Sequence, residues 1–250
     1  MSKMNISVGI KGFKHGTTIN EVTVPKALRN RRKVGISWFD DALGGEGCVP
    51  SQVMMLTGTP GAGKTTLLLQ LADAITKAGH ICLYNTGEES LYQVKMVAER
   101  LALKEAFVVG QDTIVTDVIK HADMLRKANP GKQVFILQDS LQTLDDGKWK
   151  DGTNSMTSVR CTEMLTDWAK STYGIVIFIG QVTKSGEFAG KMTIKHAIDV
   201  HGHLYIDEEK KSETFGERIF EVTKNRYGTS GRSYVLGIAK TGLYEKASIG

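Results

Sequence analysis

The chain has 250 residues, of which 41% are hydrophobic and 24% charged, with a formal net charge of +5. That length supports one large α/β domain, and the composition is ordinary for a soluble globular protein. Cys48, Cys82 and Cys161 stand far apart without a C-x-x-C pair, which excludes zinc-finger spacing and a disulfide framework and points to a reducing, cytoplasmic setting. No apolar run approaches transmembrane length and the N-terminus lacks a signal-type apolar region, so no membrane partner is expected.

Residues 1–33 lack clear periodicity and end in a basic cluster, Lys26, Arg29, Arg31, Arg32 and Lys33. They read as a basic arm ahead of a core domain spanning 34–250, although a solvated surface segment fits equally well. Within Val34–Gly45 a short helix is expected, capped by Ser37 and closed by glycine.

The most specific motif follows. Val53–Leu56 reads as a buried strand, and Gly58-Thr59-Pro60-Gly61-Ala62-Gly63-Lys64-Thr65 fits G-x-x-x-x-G-K-[ST] at every fixed position. A helix begins at Thr65. Strand, glycine-rich loop and helix N-terminus together make an anion site, with backbone N–H groups turned toward a phosphate. Gly58 through Thr66 are therefore the expected cradle for ATP. Lys64 would reach the β- and γ-phosphates, and the Thr65 hydroxyl would sit on Mg²⁺.

Beyond the loop, apolar runs at Ile81–Asn85, Ala106–Val109, Gln133–Asp139 and Gly174–Gly180 alternate with helical periodicity near Thr65–Ala78, Leu91–Leu101, Ile114–Ala128 and Met156–Ser171. This alternation predicts an α/β fold with a mostly parallel sheet flanked by helices. His201–Asp207, Glu217–Thr223 and Arg232–Ala239 read as strands without intervening helices, which would extend the sheet in antiparallel fashion. No internal repeat or second domain is evident.

Phosphoryl transfer needs a metal partner and a water-orienting base. Asp139 ends the apolar run Val134–Asp139 and is the expected second Mg²⁺ ligand beside Thr65. Glu88 and Glu89 end the strand after the phosphate-loop helix. Either could orient water, and spacing alone does not separate them. Gln181, at the tip of another strand, is placed to sense a γ-phosphate.

Gly35-Ile36-Ser37-Trp38-Phe39-Asp40, Leu43-Gly44-Gly45, the phosphate loop, Gly87-Glu88-Glu89-Ser90, Gln138–Thr143, Gly180–Lys184 and Lys224-Asn225-Arg226-Tyr227-Gly228 occur in this order. In that arrangement the chain resembles the bacterial RadA (Sms) branch of the RecA-type ATPases over about residues 34–240. The resemblance implies a RecA-like P-loop core with Glu88 as the catalytic carboxylate. It also implies that Lys224 and Arg226 act on a neighbouring subunit's nucleotide within a homo-oligomer, a ring such as a hexamer or a helical filament. RadA proteins carry a four-cysteine zinc module and a Lon-like domain without counterpart in this sequence, so a short form similar to phage recombinase and annealing proteins is expected. Gln181 stands where RadA proteins often have His.

The same resemblance matches residues 145–154 and 184–196 to two loops that line a channel for single-stranded DNA. Lys148, Lys150, Lys184, Lys191 and Lys195 would neutralise phosphates there, and Trp149 and Phe188 would stack on bases. Asp145, Asp146, Asp151 and Glu187 dilute the charge. His196, His201 and His203 form no evident metal site, and Arg160, Met164 and Trp168 read as packing. The expected function is a DNA-dependent ATPase of recombination or strand annealing. The alternatives are a slow-hydrolysing coating protein, a KaiC-like regulatory ATPase or autokinase, and a DnaB-like helicase motor.

Overall fold

The computed structural model describes residues 16–148, 153–154, 156–181 and 192–249. Expectations resting on Trp149, Lys150, Lys184, Phe188 and Lys191 lie outside the described residues.

The elements run in the order α1 (Lys26–Arg29), α2 (Ser37–Ala42), β1 (Val53–Gly58), α3 (Lys64–Lys77), β2 (Ile81–Thr86), α4 (Leu91–Arg100), β3 (Val108–Gly110), α5 (Val115–Ala128), β4 (Val134–Asp139), α6 (Thr157–Thr172), β5 (Ile175–Ile179), α7 (Met192–Ala197), β6 (Val200–Ile206), β7 (Arg218–Asn225), β8 (Ser233–Ala239) and β9 (Gly242–Ile249). Among the described residues they form one sheet in the order β3-β2-β4-β5-β1-β6-β7-β8-β9. Strands β3 to β6 pair in parallel, and β7 to β9 are added antiparallel.

Each central strand is apolar on both sides, as a sheet covered on both faces requires. Met54 and Leu56 of β1 point to one face, where they pack with Leu67, Leu68 and Leu71 of α3 and with Phe39 of α2. Val53 and Met55 point to the other, against Val118 of α5, Leu165 of α6 and Ile194 of α7. Burying each such side chain contributes roughly 1.5–3 kcal/mol, so this double layer fixes the positions of the strand ends. Local signals agree with it. The Ser90 hydroxyl accepts from Gln93 N at 3.3 Å while Ser90 N donates back to Gln93 Oε1 at 2.9 Å, a reciprocal cap that starts α4.

Three expectations need correction, and one strand was not expected. Strand β6, expected antiparallel, runs parallel to β1, because α7 carries the chain back to the starting edge before β6 begins. Ser37 does not cap α2; it is the first helical residue, and Ile36 precedes it without a side-chain cap. The Asp40 carboxylate instead accepts from the backbone N–H of Val34 and Gly35, at 2.9 and 3.0 Å. Strand β9 escaped the pattern because six of its eight residues are exposed and only Gly242 and Leu243 are buried. Finally, Arg160 is not simple packing: it forms an ion pair with Asp146, whose side chain is fully buried. Asp146 therefore belongs to the anchored start of its loop, not to a solvated face.

Candidate active site

The phosphate loop lies between β1 and α3. A Cβ on Gly58 would sit 1.8 Å from Leu204 O, so only glycine lets β1 approach β6 this closely. Gly63 adopts φ +109 as the residue before α3, a conformation that favours glycine. Lys64 folds back over the loop and donates to Gly58 O and Thr59 O at 2.9 and 3.0 Å. Burial lowers its pKa, against the opposing charges of Asp139 and Glu88, which places both carboxylates in its neighbourhood.

Strand order places the remaining groups. In the register of β2 with β4, Thr86 is opposite Asp139, and β5 lies between β4 and β1. The C-terminal ends of β1, β2, β4 and β5 thus share one sheet edge. Thr65 Oγ1 donates to Asp139 Oδ2 at 2.7 Å, and Tyr84 donates to the same oxygen at 3.3 Å. Asp139 is nearly buried, and desolvation pushes its pKa up to about 6, with Glu88 and Glu89 adding to the rise. A buried carboxylate beside a threonine hydroxyl is a hard-oxygen donor pair short of positive charge, so these residues fit Mg²⁺.

Glu88 and Glu89 part company. Glu88 is exposed at the site, where Ser140 Oγ donates to its Oε1 and Gln181 Nε2 does so at 3.4 Å. Glu89 turns away, with Oε2 buried and unpartnered among the described residues. Gln181 is further tied through its backbone N–H to Gln142 Oε1 at 3.3 Å. One residue was missed by sequence reading: Arg218, at the start of β7, donates to Ala62 O in the phosphate loop at 3.1 Å. The antiparallel direction of β7 brings its first residue to this edge.

Lys224 and Arg226 are elsewhere. Lys224 is opposite His201 in the pairing of β7 with β6, at the end of β6 far from the phosphate loop. Its ammonium donates to Lys195 O and Ile198 O at 2.6 and 2.7 Å. Arg226 follows the strand and donates to His196 O at 2.8 Å and to Asp199 Oδ1 at 3.3 Å. Asp199 also accepts from Val53 N at 3.0 Å, at the start of β1. Since β1 rises ~3.3 Å per residue, the pair lies roughly 17 Å from the chain's own loop. Lys224 therefore points inward onto the end of α7, whereas the Arg226 side chain stays 49% exposed.

Of the expected DNA contacts, Lys148 is exposed, and Lys195 is half-buried in α7 rather than on a loop. Among the described residues no cluster of three or more His, Cys, Asp or Glu could hold an ion. His201 Nε2 and His203 Nδ1 each lie 2.8 Å from Thr57 Oγ1 instead. Among the described residues no helix is long and apolar enough to cross a membrane.

The fold and this edge define a RecA-like ATPase core. The family described as "ATPase: KaiC" matches residues 32–244, and the chain belongs to it. It is 36% identical to the DNA repair protein RadA of Haemophilus influenzae over 230 residues, covering 91% of this chain and 47% of that protein. It is 35% identical to the RadA of Bacillus subtilis over 219 residues, with coverages of 86% and 45%. The chain thus spans about half the length of these relatives. In fold it is similar to a solved structure of an isolated ATPase domain, with a TM-score of 0.76 at 14% identity and coverages of 89% and 93%. A DnaB-like replicative helicase gives a TM-score of 0.72 at 16% identity, with coverages of 84% and 60%.

Proposed function

We propose that the chain is a DNA-dependent ATPase of homologous recombination or single-strand annealing that binds single-stranded DNA as an ATP-bound homo-oligomer. The observation that carries this reading is the convergence of Lys64, Thr65, Asp139, Glu88 and Gln181 on one sheet edge. In this reading the loop from Gly58 to Thr66 cradles the phosphates of ATP, and Lys64 leaves the loop carbonyls for the β- and γ-phosphate oxygens. Thr65 and Asp139 would hold Mg²⁺, which when bound neutralises charge on those oxygens. Glu88 orients the attacking water and takes its proton. Gln181 contacts Glu88 and directly precedes residues 182–191, so it relays the state of the γ-phosphate toward the DNA-facing segments. Those segments contribute Lys148, Trp149, Lys150, Lys184, Lys191 and Lys195.

Arg226 is proposed to act in trans. It is too far from its own phosphate loop, and its exposed guanidinium suits a neighbour's γ-phosphate across a head-to-tail interface. The bonds of Lys224 to α7 suit a support for that edge more than direct phosphate contact. The similarity of the chain to RadA proteins supports the DNA-repair setting. The decisive experiment measures ATP hydrolysis with and without single-stranded DNA. Stimulation supports the proposal. DNA binding without stimulation indicates an ATP-switched coating protein. Absence of DNA binding with phosphate appearing on the chain's own Ser or Thr would favour a regulatory autokinase, the reading that the KaiC family match keeps in view.

A further inference from the structure

The net positive charge of this chain is concentrated in one stretch of its sequence. Residues 1–33 hold eight lysines and arginines against a single glutamate, Glu21, whereas the remaining residues hold 24 basic and 26 acidic side chains. The net excess of +5 therefore belongs to the N-terminal segment. Part of that segment is built firmly into the fold. Arg32 N donates to Cys48 O at 2.7 Å and Cys48 N to Arg32 O at 2.9 Å, which locks the main chain. The Arg31 guanidinium donates to Leu43 O at 3.2 Å and to Tyr227 O.

Around this anchor lies a cavity of about 570 Å³ lined by Arg29, Arg31, Arg32, Lys33, Glu46 and His80, among others. Four cations face one carboxylate. Glu46 is itself 75% exposed and only 3.6 Å from Arg31. Arg32 and Lys33 have no carboxylate within ion-pair distance among the described residues. Burial and the Arg32 charge hold the His80 imidazole below its ordinary pKa, against a hydrogen bond with the Lys33 backbone.

The cavity is separate from the ATP site. Ala78 and His80 lie just past the C-terminus of α3, whose first residue is Lys64. At ~1.5 Å per residue that helix puts roughly 20 Å between them. The segments after β4 and β5, where the proposed function places single-stranded DNA, also leave from the opposite sheet edge. Residues 1–15 carry no acidic side chain, so they do not complement this cavity.

We infer that this cavity binds the phosphate backbone of a second nucleic-acid strand, on the opposite edge of the molecule from the first. Arg29, Arg32 and Lys33, lining one cavity beside the anchored Arg31, suit a chain of repeated negative charges better than a single anion. No Phe, Tyr or Trp side chain lines the cavity, so the contact is with phosphates and independent of sequence. Two strands held by one molecule is the arrangement that pairing complementary strands requires. The inference goes beyond the proposed function and does not depend on which loop holds the first strand.

The test compares the full chain with the triple variant Arg29→Ala/Arg32→Ala/Lys33→Ala, which leaves the structural Arg31 in place. Binding of a labelled 30-nucleotide oligo-dT is measured across a salt series. Losing about three phosphate contacts should make the slope of log affinity against log salt shallower by roughly 2 and weaken binding at least about tenfold. Energy transfer between donor- and acceptor-labelled oligonucleotides bound together should disappear in this variant, while ATP hydrolysis without DNA persists. Arg29→Lys/Arg32→Lys keeps the charges and should keep the slope, which separates charge loss from misfolding. An unchanged slope and affinity in the triple variant would overturn the inference. So would displacement of the oligonucleotide by an equally charged poly-glutamate peptide. A parallel Lys148→Ala/Lys195→Ala variant with unaltered binding would instead count against the loop site and leave this one standing.

Discussion

Thr65 and Asp139, 74 residues apart in the chain, meet at 2.7 Å where α3 begins and β4 ends. The burial of Asp139 at this contact outweighs the Thr65 hydrogen bond, which lowers its pKa, and sets a pH dependence. Burial raises the Asp139 carboxyl to about 6, so between the ordinary carboxylate range and that value the folded chain holds a proton that the unfolded chain releases. Without metal, the contribution of Asp139 to stability therefore falls as pH rises through this window and levels off above it. Mg²⁺ needs the deprotonated form. Its stabilisation of the nucleotide-bound chain should be weak near ~pH 5 and grow toward ~pH 7. Thermal melts with and without Mg²⁺ across that range check this, and Asp139→Asn should flatten the profile. A pH-independent Mg²⁺ shift in the unmutated chain would remove Asp139 from the metal site.

Lys64→Ala removes the ammonium that bridges Gly58 O and Thr59 O and that the proposed function assigns to the ATP phosphates. Charge-assisted hydrogen bonds are worth ~1.5–3 kcal/mol each, so ATP affinity should fall by roughly 10- to 100-fold. Calorimetric titration with ATP reads this directly. An unchanged dissociation constant would mean that the loop does not hold the phosphates.

The two acids of the Gly87–Ser90 turn give a sharper contrast. Glu88 is held at the site by Ser140 and Gln181, whereas Glu89 turns inward. Glu88→Gln should retain ATP and Mg²⁺ binding yet hydrolyse about 10²–10⁴ times more slowly, the usual contribution of a positioned base. Glu89→Gln should stay near the unmutated rate. The reverse pattern in single-turnover assays would reassign the base.

Legibility in the sequence followed the strength of the local constraint. The phosphate loop was readable because Gly58 and Gly63 answer backbone demands that other residues meet poorly. Strands β1, β4 and β5 were readable because burial on both faces leaves unbroken apolar runs. What stayed hidden depends on topology. Nothing local in Glu88 or Glu89 says which one faces Ser140, since that follows from the register of β2 on β4. Arg218 was missed for the same reason: its approach to Ala62 requires knowing that β7 runs back beside β6. The parallel direction of β6 was hidden by α7, a six-residue helix too short to show periodicity.

Arg226 offers the test of assembly. Its guanidinium is pinned by Asp199 and His196 O on the edge away from its own phosphate loop. Lys170 already lies 2.6 Å from Asp199 Oδ2, so that carboxylate has a second cation and can release Arg226 without being left unpaired. A guanidinium delivered in trans to a transferring phosphoryl group is worth ~10³–10⁵ in rate. Arg226→Ala should therefore hydrolyse ATP poorly while its own nucleotide affinity holds. Mixing it with Glu88→Gln distinguishes a shared site from a separate one. Each variant alone lacks one half of every site. At a mixed interface, the site of an Arg226→Ala subunit keeps Glu88 and receives Arg226 from its neighbour. Partial recovery of hydrolysis on mixing is the expected outcome, rising and then falling as the ratio is varied. No recovery, with co-assembly verified by native mass spectrometry, would place the action of Arg226 within its own subunit or outside catalysis altogether.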